Sequence, residues 1–231
     1  MAYVLGFIAA DGYVWKSERG AKYIGVTSTD LEIVEKIRNI FESNHKIGCR
    51  VSNNPKWKNR YILQIGSKEI VEDLAKLGIF QNKSLNIKFP SNIPDRFLKH
   101  FIRGYFDGDG GVFLGQYWRK DREKLSWVFQ VYFISGSRIF LEGLHRALKI
   151  CTSKGFISNK QRGYALVFSH RDGLALFRFM YNNVPEELFL KRKHSVFIKA
   201  NQLFNGPVEK PGVLVSLSRR KSWVQIPSGP H

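Results

Sequence analysis

The sequence predicts an α+β fold made of two pseudo-symmetric halves, each an αββαββα unit. Three observations carry this. First, two short motifs align without a gap, "VLGFIAADG" at 4–12 and "IRGYFDGDG" at 102–110. Second, their aspartates Asp11 and Asp109 stand 98 residues apart, and Val14 and Val112 keep that offset. Third, the same order of strand-like and helix-like patterns follows each motif. One repeat of this length is a tandem duplication rather than a solenoid.

The apolar segments ending at Asp11 and Asp109 read as helices of about two turns. Gly12 and Gly110 fit the left-handed position that follows a helix. Next, "GYVWKS" and "KYIGVTS" read as strands around the turn "ERG". "TDLEIVEKIRNIFE" spaces Leu31, Val34, Ile37, Ile40 and Phe41 on one helical face, with Thr29 or Asp30 as N-cap. Strands "KIGCRVS" and "RYILQIG" follow, and Ser67 caps "KEIVEDLAKLG". The second half repeats the order with "GVFLGQYW", "SWVFQVYFIS", helix "RIFLEGLHRALK", "GFISNKQ", "YALVFS" and helix "RDGLALFRFMY". One more helix is expected over about 185–204. "NIKFPSNIPDRF", with two prolines, reads as the link between halves. The chain thus divides into residues 1–86, a linker at 87–98, a second half at 99–205, and a basic extension at 206–231.

Of 231 residues, 43% are hydrophobic, enough for a packed core. Lysine and arginine number 37 against 19 acidic residues, a formal charge of +18. Such a chain repels itself, so an anionic partner is expected. No apolar run approaches the roughly 20 residues of a membrane span. The first apolar stretch lacks a basic flank and contains Asp11, so it is not a signal peptide. Cys49 and Cys151 show no pattern, which points to a reducing compartment and away from a zinc site. The expected location is intracellular, a prokaryotic cytoplasm or an organelle matrix. His170 and His194 lie among basic residues and read as surface groups.

A carboxylate at a helix C-terminus meets the negative end of the macrodipole, at a cost of ~0.3–1 kcal/mol. Local stability therefore does not explain Asp11 and Asp109. Gly6, Ala9 and Ala10 on one helix, and Gly104 and Gly108 on the other, make flat surfaces that permit close approach. Side by side, the helices bring Asp11 and Asp109 together. Two adjacent carboxylates repel unless a divalent cation joins them, and oxygen-only donors favour Mg²⁺. An EF-hand starting at Asp107 is excluded, because its twelfth position is Trp118 rather than Glu. The glycines do not follow G-x-G-x-x-G after a strand.

The paired motifs, the repeated element order and the run "FLKHFIRGYFDGDGGV" resemble the LAGLIDADG homing endonucleases. The likeness is to the single-chain, two-motif members encoded in introns, and it spans about residues 1–205. The resemblance implies that the motif helices form the interface between halves and that the chain is a monomer. It implies that Asp11 and Asp109 bind metal at the cleavage centre, aided by the backbone carbonyls of Ala10 and Gly108. Mg²⁺ is the expected ion, with Mn²⁺ as substitute and Ca²⁺ as an ion that binds without supporting cleavage. Lys83 in "FQNKS" and Lys193 in "FLKRKHS" match the family's active-site lysines. Antiparallel strands of each half form a saddle for the DNA major groove. Two departures stand out. Ala9 replaces the first acidic residue of the motif, a structural position that Asp107 retains. Ser28 and Ser135 stand where a polar residue, often glutamine, closes the second strand.

On this resemblance, alternation in "KWKNRYILQIG" puts Lys56, Lys58, Arg60 and Gln64 toward DNA and Trp57, Tyr61, Leu63 and Ile65 toward the core. In the second half Gln130 and Tyr132 oppose Trp127, Phe129, Val131 and Phe133, and Lys160 and Arg162 add charge. Lys22, Arg50 and Arg119 complete the expected contacts. One aspartate per half implies one cut per strand. Across a minor groove about 6 Å wide, that predicts a double-strand cut with short 3′ overhangs, for intron homing. Unlike halves predict an asymmetric double-stranded target of roughly 20 bp. The alternatives are an RNA-binding intron maturase and a catalytically inactive DNA-binding protein on the same scaffold. Both aspartates are present, which favours the nuclease. An intein is not expected, since the chain starts with Met, ends in "SGPH" and lacks splice-junction residues. Arg219–Lys221 in the extension are expected to lie on DNA or on the protein body.

Overall fold

The helix α1, Ala2–Asp11, is apolar on nearly every side, which suits a helix inside a core. Its partner is α4, Asp95–Asp109. The two meet backbone to backbone. A Cβ on Gly6 would collide with the carbonyl oxygen of Phe101, and a Cβ on Gly104 with that of Tyr3. The close approach expected from the small residues is therefore present. Both helices exceed two turns, with ten and fifteen residues. The computed structural model describes residues 1–205, so the extension with Arg219–Lys221 lies outside the described residues.

After α1 the first half continues with β1 (Gly12–Lys16), β2 (Lys22–Ser28), α2 (Leu31–Ile40), β3 (Gly48–Arg50), β4 (Arg60–Gly66) and α3 (Lys68–Lys76). After α4 the second half adds β5 (Gly110–Arg119), β6 (Lys124–Ser135), α5 (Arg138–Leu148), β7 (Phe156–Lys160), β8 (Gly163–Ser169) and α6 (His170–Tyr181). Each half forms a four-stranded antiparallel sheet of the same order, β1-β2-β4-β3 and β5-β6-β8-β7. Helices cover one face of each sheet. Val14, Ile24, Val26, Leu63 and Ile65 point inward from the first, and Phe129, Val131, Phe133, Leu166 and Phe168 from the second. One continuous core joins them through α1 and α4. No helix among the described residues is long and apolar enough to cross a membrane.

Several local expectations need correction. Gly12 and Gly110 are extended, with φ of −82° and −97°, not left-handed. Each strand leaves its helix by doubling back on the last turn, and a Cβ on Gly12 would lie 2.6 Å from the Cα of Ile8. Asp30 precedes α2 without capping it; its carboxylate instead accepts two bonds from Arg192, at 2.7 and 3.0 Å. Ser67 does cap, accepting from the Ile70 N–H at 3.2 Å. Helix α4 starts inside the segment read as linker, where Pro94 carries the φ of −58° that suits a helix entry. The single helix expected over 185–204 splits into a 3₁₀ turn, Glu186–Leu188, and α7, Lys191–Asn205. The break frees the Leu190 N–H for the Asp107 carboxylate. His194 is not a surface group; it packs against Phe177, Tyr181 and Phe189.

The closing segments cross between halves. Lys36 of α2 donates to the carbonyls of Glu186 and Phe189, at 2.9 and 2.7 Å. Phe89, beyond the end of the first half, packs on Phe101 and Phe140 of the second.

In an exposed helix, glycine to alanine gains up to about 1 kcal/mol. Gly104→Ala should do the reverse and destabilise by about 1–3 kcal/mol or more, because the added methyl forces the two helices apart. Urea unfolding of the variant beside the parent reads the sign directly.

Candidate functional site

Asp11 and Asp109 are the last residues of α1 and α4, so the close packing of those helices brings their carboxylates to one place. A Cβ on Gly108 would sit 3.3 Å from Asp11 Oδ2, which places that carboxylate against the backbone of the opposite helix. Although Asp11 keeps more than a third of its surface open, burial of its carboxylate pushes its pKa up. Burial, and then the Asp11 charge, push Asp109 up to about 6.

Two lysines flank them, both almost completely buried. Lys83 lies in the 3₁₀ turn Lys83–Leu85 and donates to the carbonyls of Gly12 at 2.7 Å and Ala10 at 3.2 Å. Lys193 in the first turn of α7 donates to the carbonyls of Phe106, Asp107 and Gly110, at 2.7, 2.9 and 2.6 Å, and reaches Gly108 at 3.4 Å. These carbonyls lie in the last turns of α1 and α4 and on the glycines that follow, so the ammonium groups offset the negative macrodipole there. Burial pulls Lys193 down to about 8 and also lowers Lys83.

Both lysine charges act on both carboxylates and oppose the upward shift. Lys193 is the stronger of the two lysine influences on Asp11, and Lys83 the stronger on Asp109. Asp11 leans onto Gly108 of the other half, so the centre is assembled from both halves. The Ala10 and Gly108 carbonyls assigned to a cation already accept from the lysines. Each keeps a second lone pair. Among the described residues no cluster of three or more His, Cys, Asp or Glu forms a closed metal cage. Two mutually repelling, desolvated carboxylates suit Mg²⁺, which is commonly held by one or two carboxylates and keeps waters. Ser28 and Ser135 do not turn to this centre; their hydroxyls accept from the N–H groups of Asp30 and Ser137.

The uncovered face of the first sheet presents Tyr13, Trp15, Tyr23, Thr27, Arg60 and Gln64, with Arg50 directly opposite Arg60. Two arginines face to face on a free surface are unfavourable and suit a polyanion. On the second sheet the same face carries Arg119, Gln130, Tyr132 and Lys160, while Arg162 lies in the turn after β7. Three expectations fail. Lys22 shares the inner face with Ile24 and Val26, where it pairs with Glu72 at 2.8 Å. Lys56, Trp57 and Lys58 lie in a loop before β4, where strand alternation does not apply, and Trp57 is 68% exposed. Trp127 lies toward the inner side but stays exposed, because the β5–β6 hairpin overhangs and β8 pairs only with Gln130–Ser135.

Sequence reasoning missed Tyr13. It lies over Gly25 of the neighbouring strand, as Tyr132 lies over Gly111, and in each case a Cβ on the glycine would strike the tyrosine ring. Tyr13 and Gly111 share the 98-residue offset, so the tyrosine and glycine have exchanged strands between halves. The register of β1 on β2 was the signal that finds it.

A family model described as a LAGLIDADG-like domain matches residues 1–78. Among solved structures, the chain is similar to meganuclease I-SmaMI bound to uncleaveable DNA. The TM-score is 0.59 at 12% identity, over 87% of this chain and 89% of that one. I-SmaMI, a LAGLIDADG homing endonuclease, bound to cleaved DNA gives 0.57 at 13% identity, over 87% of each chain. The homing endonuclease I-WcaI bound to its DNA recognition sequence gives 0.56 at 16% identity, over 84% of each chain. Two curated proteins of Methanocaldococcus jannaschii match over 113 residues, 48% of this chain. They are DNA-directed RNA polymerase subunit Rpo1C, 29% identical, and replication factor C small subunit, 26% identical. The chain spans only 12% and 6% of their lengths, so what those proteins do is not carried over. Residues 1–78 thus match the LAGLIDADG-like domain model, and the described chain as a whole has the fold of the LAGLIDADG homing endonuclease I-SmaMI.

Proposed function

We propose that this chain is a site-specific DNA endonuclease that cuts both strands in a divalent-metal-dependent reaction, as a monomer. The observation that carries this reading is the meeting of Asp11 and Asp109 at the ends of α1 and α4, beside the buried Lys83 and Lys193 and at the junction of two basic, uncovered sheets. Solved structures of the same fold, bound to cleaved DNA or to a recognition sequence, support a DNA partner.

The two carboxylates would hold Mg²⁺, or Mn²⁺ in its place, which when bound neutralises charge on the scissile phosphates and acts as a Lewis acid. Ca²⁺ would bind the same carboxylates without supporting cleavage. Lys83 and Lys193 stabilise negative charge on the phosphoryl oxygens. Lys193, with its pKa drawn down to about 8, can also exchange a proton near neutral pH. Arg50, Arg60, Gln64, Gln130, Tyr132 and Arg119 hold and read the duplex, with Lys56, Lys58, Lys160 and Arg162 on phosphates. Two aspartates at one point address phosphates across the minor groove, which gives a staggered cut with short 3′ overhangs. Two unlike saddles give an asymmetric site of roughly 20 bp, the requirement for intron homing.

Incubation with a randomised duplex library, with Mg²⁺ or with EDTA, followed by sequencing of the ends tests this. The expected result is metal-dependent ends at one staggered, asymmetric consensus; binding without ends would move the reading to a maturase or an inactive DNA-binding protein. On the target so found, Asp11→Asn should abolish cutting while a gel-shift titration shows binding retained.

The same centre sets a pH dependence in metal-free protein. The folded pKa of Asp109, about 6, lies above the ~3.9 of an unfolded chain. The folded state therefore binds more protons between those values, and stability falls as pH rises from about 4 to about 6. Asp109→Asn should remove that fall and stabilise the metal-free protein at pH 7 by up to about 3 kcal/mol. Thermal melts should also show Mg²⁺ raising the Tm of the parent more than that of Asp109→Asn.

A further inference from the structure

We infer that Asp107 is the positioning residue for Lys193, and that the two lysines of the centre are held unequally. Asp107 is 3% exposed. Its Oδ2 accepts from the Tyr3 hydroxyl at 2.6 Å and from the Leu190 N–H at 3.0 Å. Its Oδ1 is buried without a partner. A buried carboxylate with an orphan oxygen costs free energy that packing alone does not require.

What it holds is the start of α7. The first turn of that helix closes on Leu190, whose carbonyl accepts from the N–H groups of Lys193 and His194, both at 3.1 Å. One turn on, the Lys193 ammonium returns to the carbonyl of Asp107 itself at 2.9 Å. Carboxylate, Leu190, Lys193 and the Asp107 carbonyl make a closed ring of constraints. Arg103, fully buried one turn back on α4, fixes the approach by donating to the carbonyls of Leu188 and Met180, both at 2.7 Å.

The first half has no such ring. Ala9 occupies the position equivalent to Asp107. Lys83 sits in a three-residue 3₁₀ turn and contacts two carbonyls where Lys193 contacts four. Loss of Asp107 therefore loosens Lys193 and spares Lys83. Where each lysine serves one strand, that loss slows one cut of the two.

The strand readout rests on the nuclease reading; a second readout does not. Brief acetylation with acetic anhydride, followed by peptide mass spectrometry, reports how open each lysine is in the full chain. In Asp107→Ala, Lys193 labelling should rise severalfold while Lys83 labelling stays at the parent level. Asp107→Asn keeps the volume and one acceptor oxygen, so it keeps the fold, and should shift Lys193 alone by an intermediate amount. On a doubly end-labelled target duplex, Asp107→Ala should cut one strand slower by on the order of 10²-fold, the cost of a small misplacement, and accumulate nicked product. Unchanged Lys193 labelling in both variants, or an equal rise at both lysines, overturns the proposal. So does an equal slowing of both strands in a variant that melts like the parent. If the parent cuts no duplex, the nuclease reading fails, and the labelling pattern still decides the role of Asp107.

Discussion

The structure depends on the contact between the backbones of α1 and α4 at Gly6 and Gly104. Each glycine accepts the other helix's carbonyl where a side chain would otherwise lie. That contact joins two sheets into one core, and it also brings two helix C-termini together. The centre to which cleavage is assigned here as a proposal is thus a by-product of how the halves dock. Two negative macrodipole ends and two carboxylates meet at one point, and a structure with nothing else there would repel itself. The buried ammonium groups of Lys83 and Lys193 answer this from inside, by capping the same helix ends. What remains uncompensated, the desolvated carboxylates, is the part that faces outward.

This arrangement ties stability and function together in an unusual way. The groups that raise the energy of the free protein, Asp11 and Asp109 above and the opposed Arg50 and Arg60 on the saddle, are the groups that a cation and a polyanion would relieve. The lysines take part in both accounts. They neutralise backbone charge within the fold and stand beside the carboxylates where chemistry is proposed. The halves also differ in rigidity. The second is locked by Arg103, Asp107 and the start of α7, while the first relies on a short turn.

Much of this was legible in the sequence. Strands β2 and β4 and the Ser67 cap of α3 follow directly from alternation and from serine before a helical pattern. The meeting of Asp11 and Asp109 followed from small residues at fixed spacing. The failures have physical causes. Alternation was carried past the end of β4 to Trp57, and past the last partner of β6 to Trp127, where nothing covers the inner side. Lys22 was placed by charge although its period puts it with Ile24 and Val26. Gly12 and Gly110 are required by the return of a strand on its helix, a tertiary fact that a cap rule does not contain. The role of Asp107 depends on a contact with Leu190, 83 residues away, which no local pattern encodes.

The exchanged tyrosine and glycine bear on how the two halves diverged. Tyr13 over Gly25 and Gly111 under Tyr132 fill the same slot from opposite strands. No single substitution converts one arrangement into the other. Two tyrosines would overlap in the slot, and two glycines would leave it open, so each half needs one of each. The slot thus constrains the pair of positions and not either one alone, and the two halves meet the same constraint with the ring on opposite strands.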